Sequence, residues 1–116
     1  MSELSMAAPT VIADLRTRGE ALLQNGQPGI QSEVLYDAGD GTKAHLFALH
    51  EDDAFPEHAT SRDALIHVIA GEAVITVGDD AVEVAPHAWM RLPPDCPHSI
   101  QPRTPFLFVL HVHPSE

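Results

Sequence analysis

The sequence predicts an all-β domain closed into a double-sheet jelly roll or barrel, on three observations. From residue 30 onward the apolar residues fall in runs of four to eight, too short for amphipathic helices. Gly, Pro and Asp punctuate the runs, and Pro56, Pro86, Pro93, Pro94, Pro97, Pro102 and Pro105 all fall between them, where a missing N–H costs no ladder bond. About eight short strands in so small a domain hide their edges only by closing or stacking.

Taken in order, TVIADLRTRGEALLQNG is the single helical candidate, and it reads equally as an opening strand over Val11 to Leu15 followed by a turn. It belongs to an N-terminal extension, residues 1–30, expected to pack on a barrel made by residues 31–116. IQSEVLY and KAHLFALH follow, with DAGDGTK between them as a hairpin turn around Asp40-Gly41. ALIHVIA leads through Gly71 into EAVITV, and GDD turns EAVITV into AVEVA. AWMRL, HSIQP and FLFVLHV complete the set. ALIHVIA and FLFVLHV are apolar on nearly both faces, so something covers their second side, and a homodimer is the expected cover.

Composition bounds the function. A chain of 116 residues at 44% apolar content suffices for one core. Six Lys and Arg against seventeen Asp and Glu give a formal charge of −11, so no basic patch exists from which counterion release would draw affinity for nucleic acid or an anionic membrane. Cys96 is the only cysteine, which excludes an internal disulfide. The opening MSELSMAAPTVIADL carries acids where a signal peptide carries lysines, and a cytoplasmic location is the expectation.

The stretches FPEHAT, DALIHVIAG and LPPDCPHSI together resemble the two motifs of the small single-domain RmlC-like cupins, over roughly residues 44 to 112. The resemblance implies a cupin barrel, a double-stranded β-helix. Aligned by spacing, His58 takes the place of the family's first histidine, Gly71 its motif-closing glycine, Pro93 its proline and His98 its last histidine. The departures carry as much information. The family's second histidine falls on Thr60 and its glutamate on Ala64, with Asp63 one residue out of phase and, by strand alternation, on the opposite face. Three further family glycines fall on Asp52, His87 and Asp95, residue types tolerant of positive φ, so tight turns are expected at these positions.

The resemblance implies a metal site, yet His58 and His98 alone fall short of the three protein ligands that transition metals ordinarily need. One divalent transition metal, Fe, Mn, Ni or Zn, is therefore expected to be held weakly or not at all. A third ligand would have to come from another histidine, and the candidates are the two on the last run, His113 and, foremost, His111. It shares a face with Leu107, Val109 and His113, opposite Phe106, Phe108, Leu110 and Val112; the blander alternative puts the apolar face inside and both histidines outside. His67 reads as an outer-face residue by the same alternation, and Cys96 as a small apolar group rather than a catalytic thiol.

Two function classes follow. In the first, a barrel mouth lined by His58, Thr60, Ile66, Val68, Met90 and His98 holds a small molecule. In the second, a metal-dependent enzyme of dioxygenase or isomerase type uses His58, His98 and a third ligand. No P-loop, dinucleotide fingerprint or G-x-S-x-G supports nucleotide or acyl-transfer chemistry.

Overall fold

The computed structural model describes residues 11–114, so the first ten residues of the expected N-terminal extension lie outside the described part. Helix α1 (Leu15–Leu23) comes first, and the alternative of a strand at Val11 to Leu15 is set aside. Asp14 caps it: its carboxylate accepts from the backbone N–H of Thr17 at 3.1 Å and from the Thr17 hydroxyl at 2.8 Å.

Nine strands follow: β1 (Gln31–Asp37), β2 (Lys43–Leu49), β3 (Phe55–His58), β4 (Ala64–Ala70), β5 (Ala73–Val77), β6 (Asp80–Val84), β7 (Trp89–Leu92), β8 (His98–Pro102) and β9 (Phe106–Val112). Eight match runs read from the sequence. The ninth, β3, is a short edge strand containing Pro56, which is where a strand tolerates proline. Pro102 likewise closes β8 rather than standing outside it.

The strands form two sheets, ordered β1-β2-β9-β4-β7 and β3-β8-β5-β6, with antiparallel pairing throughout, and the fold is the expected jelly roll. Between the sheets lies one core, in which Leu49, Ile66, Val68, Ile75, Phe106 and Phe108 are almost wholly removed from water. Leu46, Ala48, Leu107 and Val109 are as deeply buried but lie on the other face of the five-stranded sheet. Helix α1 packs on that face, mainly against β2, and a Cβ on Gly19 would come within 2.8 Å of the Leu107 side chain. This burial on both faces explains the doubly apolar runs in part, because the helix covers only the first portion of the sheet.

The expected turns are present. Gly78 turns β5 into β6 at φ 60°, and the β1–β2 loop uses Gly39 and Gly41 at positive φ. His87 (φ 77°) and Asp95 (φ 63°) adopt left-handed backbone where the resemblance places glycine. Asp52 keeps an ordinary φ within the turn closed by Asp53 N–H donating to the His50 carbonyl at 2.9 Å.

Candidate functional site

The site is built where β3 ends and β8 begins. His58 and His98 are cross-strand partners, which sets their rings edge to face with centroids 4.4 Å apart. A bulge shapes the approach: β3 pairs Phe55 with Ile100 and His58 with His98, so three steps on β3 oppose two on β8. Phe55 and His58 would lie on opposite faces of a regular strand, and the extra residue turns both inward. Simple alternation missed Phe55 for this reason.

Each imidazole is fixed by the backbone beside it. His58 Nδ1 lies 3.1 Å from the Pro56 carbonyl and His98 Nδ1 lies 3.2 Å from the Cys96 carbonyl. A carbonyl only accepts, so Nδ1 carries the hydrogen in both rings, and in the neutral form each Nε2 is left with a lone pair. His98 is almost buried, and burial pushes its pKa below the usual imidazole value; the hydrogen bond to the Cys96 carbonyl offsets part of this and the neighbouring His58 adds to it. The net effect favours the neutral ring. The loops are tied at this point by Asp95 N–H donating to the Thr60 carbonyl at 2.7 Å.

The pair stands between two lobes of one cleft, and His58, Leu92, His98 and Leu110 line both. The inner lobe is walled by Phe55, Ile66, Ile100 and Phe108, with about 300 Å³ of space between atoms, open solvent at its mouth included. The cavity proper is about 30 Å³, far below the roughly 300–1,000 Å³ of small-ligand clefts, and it limits the occupant to a few atoms. The outer lobe adds Thr60, Arg62, Ala64 and Val112. An aromatic chain runs along the wall and across both sheets: Phe55 contacts His58 at 5.6 Å and Phe47 at 5.5 Å, and Phe47 stacks on Phe108 at 5.1 Å, centroid to centroid.

Of the residues singled out from the sequence, His58, Thr60, Ile66 and His98 meet in this cleft. Val68 and Met90 face inward but do not line it. Ala64 and Leu92 pair at the open end of β4 and β7, Ile66 and Met90 one step deeper, and Val68 beyond them, packed in the core. His111 is not brought to the pair. The apolar residues Phe108 and Leu110 take the inner face of β9, which puts His111 outside, exposed, beside Tyr36, His67 and Trp89. His67 is exposed on that same outer face, and Asp63 is engaged there by Arg91 at 2.9 Å. The half-buried thiol of Cys96 faces Gly78 rather than the cleft.

The donor set does not fit a strongly bound metal. The cleft offers two imidazoles and the Thr60 hydroxyl, and among the described residues no three His, Cys, Asp or Glu side chains are placed to hold one ion.

A family model described as the AraC-like ligand binding domain matches residues 44–116. No curated protein matches the chain. Among solved structures, a cupin superfamily protein from Desulfitobacterium hafniense superimposes with a TM-score of 0.70 at 23% identity, over 78% of this chain and 80% of its own. A conserved protein of unknown function from Streptococcus pyogenes gives 0.74 at 21% identity, over 94% of this chain and 91% of its own. An RmlC-like cupin from Shewanella frigidimarina gives 0.70 at 15% identity, over 78% and 81% respectively. At these identities the likeness establishes the fold.

Proposed function

The chain belongs to the AraC-like ligand-binding domain family and has the cupin fold, and from that premise we propose that it binds a small molecule between the Phe55–Phe108 lobe and the His58–His98 pair, without a tightly held metal. The observation that carries this reading is the preset pair of imidazoles at the neck of an apolar lobe. Both Nε2 atoms accept hydrogen bonds from a ligand hydroxyl or amide while the aromatic wall takes up its carbon frame. Metal-dependent oxygenase or isomerase chemistry asks for a third donor that the cleft does not supply.

The test is a thermal-shift and calorimetric screen of small uncharged and charged compounds against the wild type and a Leu110→Trp variant. Leu110 borders both lobes, so the indole fills the neck. Compounds that stabilise the wild type are expected to lose their effect on the variant. Equal stabilisation of a folded variant would place binding elsewhere and end this reading.

We further infer a cytoplasmic homodimer. Among the described residues no helix is long and apolar enough to cross a membrane. Beyond the cover of α1, the five-stranded sheet presents Trp89, Tyr36, Leu65, His67 and His111 along a groove that no carboxylate lines. Trp89 is 66% exposed. In a chain of net charge −11, an acid-free aromatic strip is where two copies meet with least repulsion.

A further inference from the structure

The six cations of this chain are not distributed evenly in role. Arg16 pairs with Glu20, Arg18 with Glu33, Lys43 with Asp37, Arg91 with Asp63 and Arg103 with Glu83. Arg62 alone has no carboxylate partner among the described residues, although the chain carries seventeen acids. It lies at the outer lobe of the cleft, half-buried, and no Asp or Glu side chain lines either lobe. The acids beside it are accounted for: Asp63, next in sequence, is held on the outer face by Arg91, and neither Glu57 nor Asp95, whose N–H is tied to the Thr60 carbonyl, lines the cleft.

Arg62 is also positioned. Its Nη1 donates to the Gly41 carbonyl at 2.9 Å, and its backbone N–H donates to the Thr60 hydroxyl at 3.3 Å, which fixes the segment leading into β4. One Nη1 contact to a neutral carbonyl leaves most of the five guanidinium N–H groups without a protein acceptor among the described residues. A half-buried guanidinium normally finds a carboxylate when acids are plentiful, and here the missing partner falls at the mouth of a cleft.

We propose that the ligand is a small amphiphilic organic acid, its carboxylate met by Arg62 at the outer lobe and its apolar part placed between Phe55, Ile66 and Phe108. This rests on the small-molecule reading above and narrows it to a class. The planar guanidinium fork matches a carboxylate in two parallel hydrogen bonds, and the Thr60 hydroxyl, which donates to the Arg62 carbonyl at 3.2 Å, holds the segment that presents it. Association with the apolar lobe supplies the remainder by removing a short hydrocarbon segment from water.

The experiment follows amide resonances of isotope-labelled protein during titration with hexanoate and phenylacetate, and separately with hexanamide and phenylacetamide. The wild type, Arg62→Gln and Arg62→Lys are compared after their melting temperatures have been shown to match. Hexanoate and phenylacetate are expected to perturb the resonances of Phe55, Ile66 and Leu110 and to bind the wild type roughly tenfold or more tightly than their amides, the margin of a charge-assisted over a neutral contact. R62Q is expected to erase that margin, and R62K to keep part of it, with charge retained and the fork lost. Amides binding as well as acids, or R62Q binding acids as the wild type does, overturns the anion assignment while leaving a small-molecule cleft intact. No perturbation by any of the four overturns it too, and the uncharged arm of the Leu110→Trp screen then decides separately whether the cleft binds anything.

Discussion

His58 and His98 face each other edge to face with centroids 4.4 Å apart, and each ring is pinned by the carbonyl two residues before it, Pro56 within β3 and Cys96 in the loop before β8. The protein has kept the orientation of a ligand pair while the places that would complete the set hold Thr60 and Ala64, both on the same lobe. Two well-oriented donors hold a transition metal poorly, and supplying two more repairs the deficit.

The double variant Thr60→His, Ala64→Glu is therefore expected to gain zinc or nickel affinity over the wild type. The gain should be at least the roughly 10–100-fold that a mere outer-shell partner is worth. Competition with a chromophoric chelator measures it. A double variant that remains folded and binds metal no better than the wild type would show that the pair does not open towards positions 60 and 64.

Acidification should destabilise the protein in two separate windows. The pKa values of His98 and His111 are lowered, chiefly by lost hydration, at His98 through burial and at the more exposed His111 through packing in the outer groove, and further by neighbouring imidazoles. Between the folded value and the ordinary 6.5 the unfolded chain binds more protons, so the stability these rings contribute is complete above about pH 6.5. It is lost as the pH falls through the folded values. Asp14, Asp40 and Asp63 are held below the ordinary 3.8 by hydrogen bonds from Thr17, Thr42 and Arg91, and their contribution disappears only in the more acidic window. Urea denaturation at pH 7.5 and 5.0 checks the first window, and a His98→Gln, His111→Gln variant should show a shallower dependence between the two. An unaltered slope in that variant would assign the effect to other groups.

Gly71 is the least replaceable of the glycines. At φ 84° a Cβ would stand 2.0 Å from the Pro105 carbonyl oxygen, and backbone cannot step aside as a flexible side chain does. Gly71→Ala should cost about 3 kcal/mol or more, steric overlap added to left-handed strain. The melting temperature should then fall by roughly 10 °C. Gly26→Ala, at φ 79° with open space around it, should cost only the strain, about 1–2 kcal/mol. Equal losses in differential scanning calorimetry would mean that the Pro105 contact is not limiting.

Trp89→Glu places a charge in the acid-free outer groove without touching the core. In sedimentation equilibrium the wild type is expected as a dimer at micromolar concentration and the variant as a monomer of unchanged melting behaviour. A wild type that sediments only as monomer sinks the assembly proposal.

The strands were legible because their apolar runs are bounded by residues that cannot extend them, and the turns because Gly78, Asp95 and His87 sit where only permissive backbone works. The His58–His98 pairing was legible through two motifs in register. Phe55 was hidden by a bulge, since a period of two cannot anticipate one inserted residue. Alternation put Leu110 and Phe108 on one face of β9 without saying which face turns inward, and nothing local to β9 says that theirs meets the cleft. Arg62 shares the phase of Thr60 and Ala64, a signal present in the sequence. Its meaning depends on the five other cations having partners, which is a property of the folded surface.

The pairing of those five cations also governs how anything charged arrives. A molecule with a net charge of −11 surrounds itself with a negative potential, and the neutralised cations do little to interrupt it. An approaching anion is repelled until it is close enough for Arg62 to dominate, within about the 8 Å Debye length of physiological salt. Ionic strength then acts with opposite signs on the two legs of the encounter: it lowers the outer barrier and so speeds arrival, and it loosens the final grip and so speeds departure. Acids would be exchanged faster in saline solution than in dilute buffer, the reverse of the slowed capture that salt imposes on a receptor whose charge attracts its ligand.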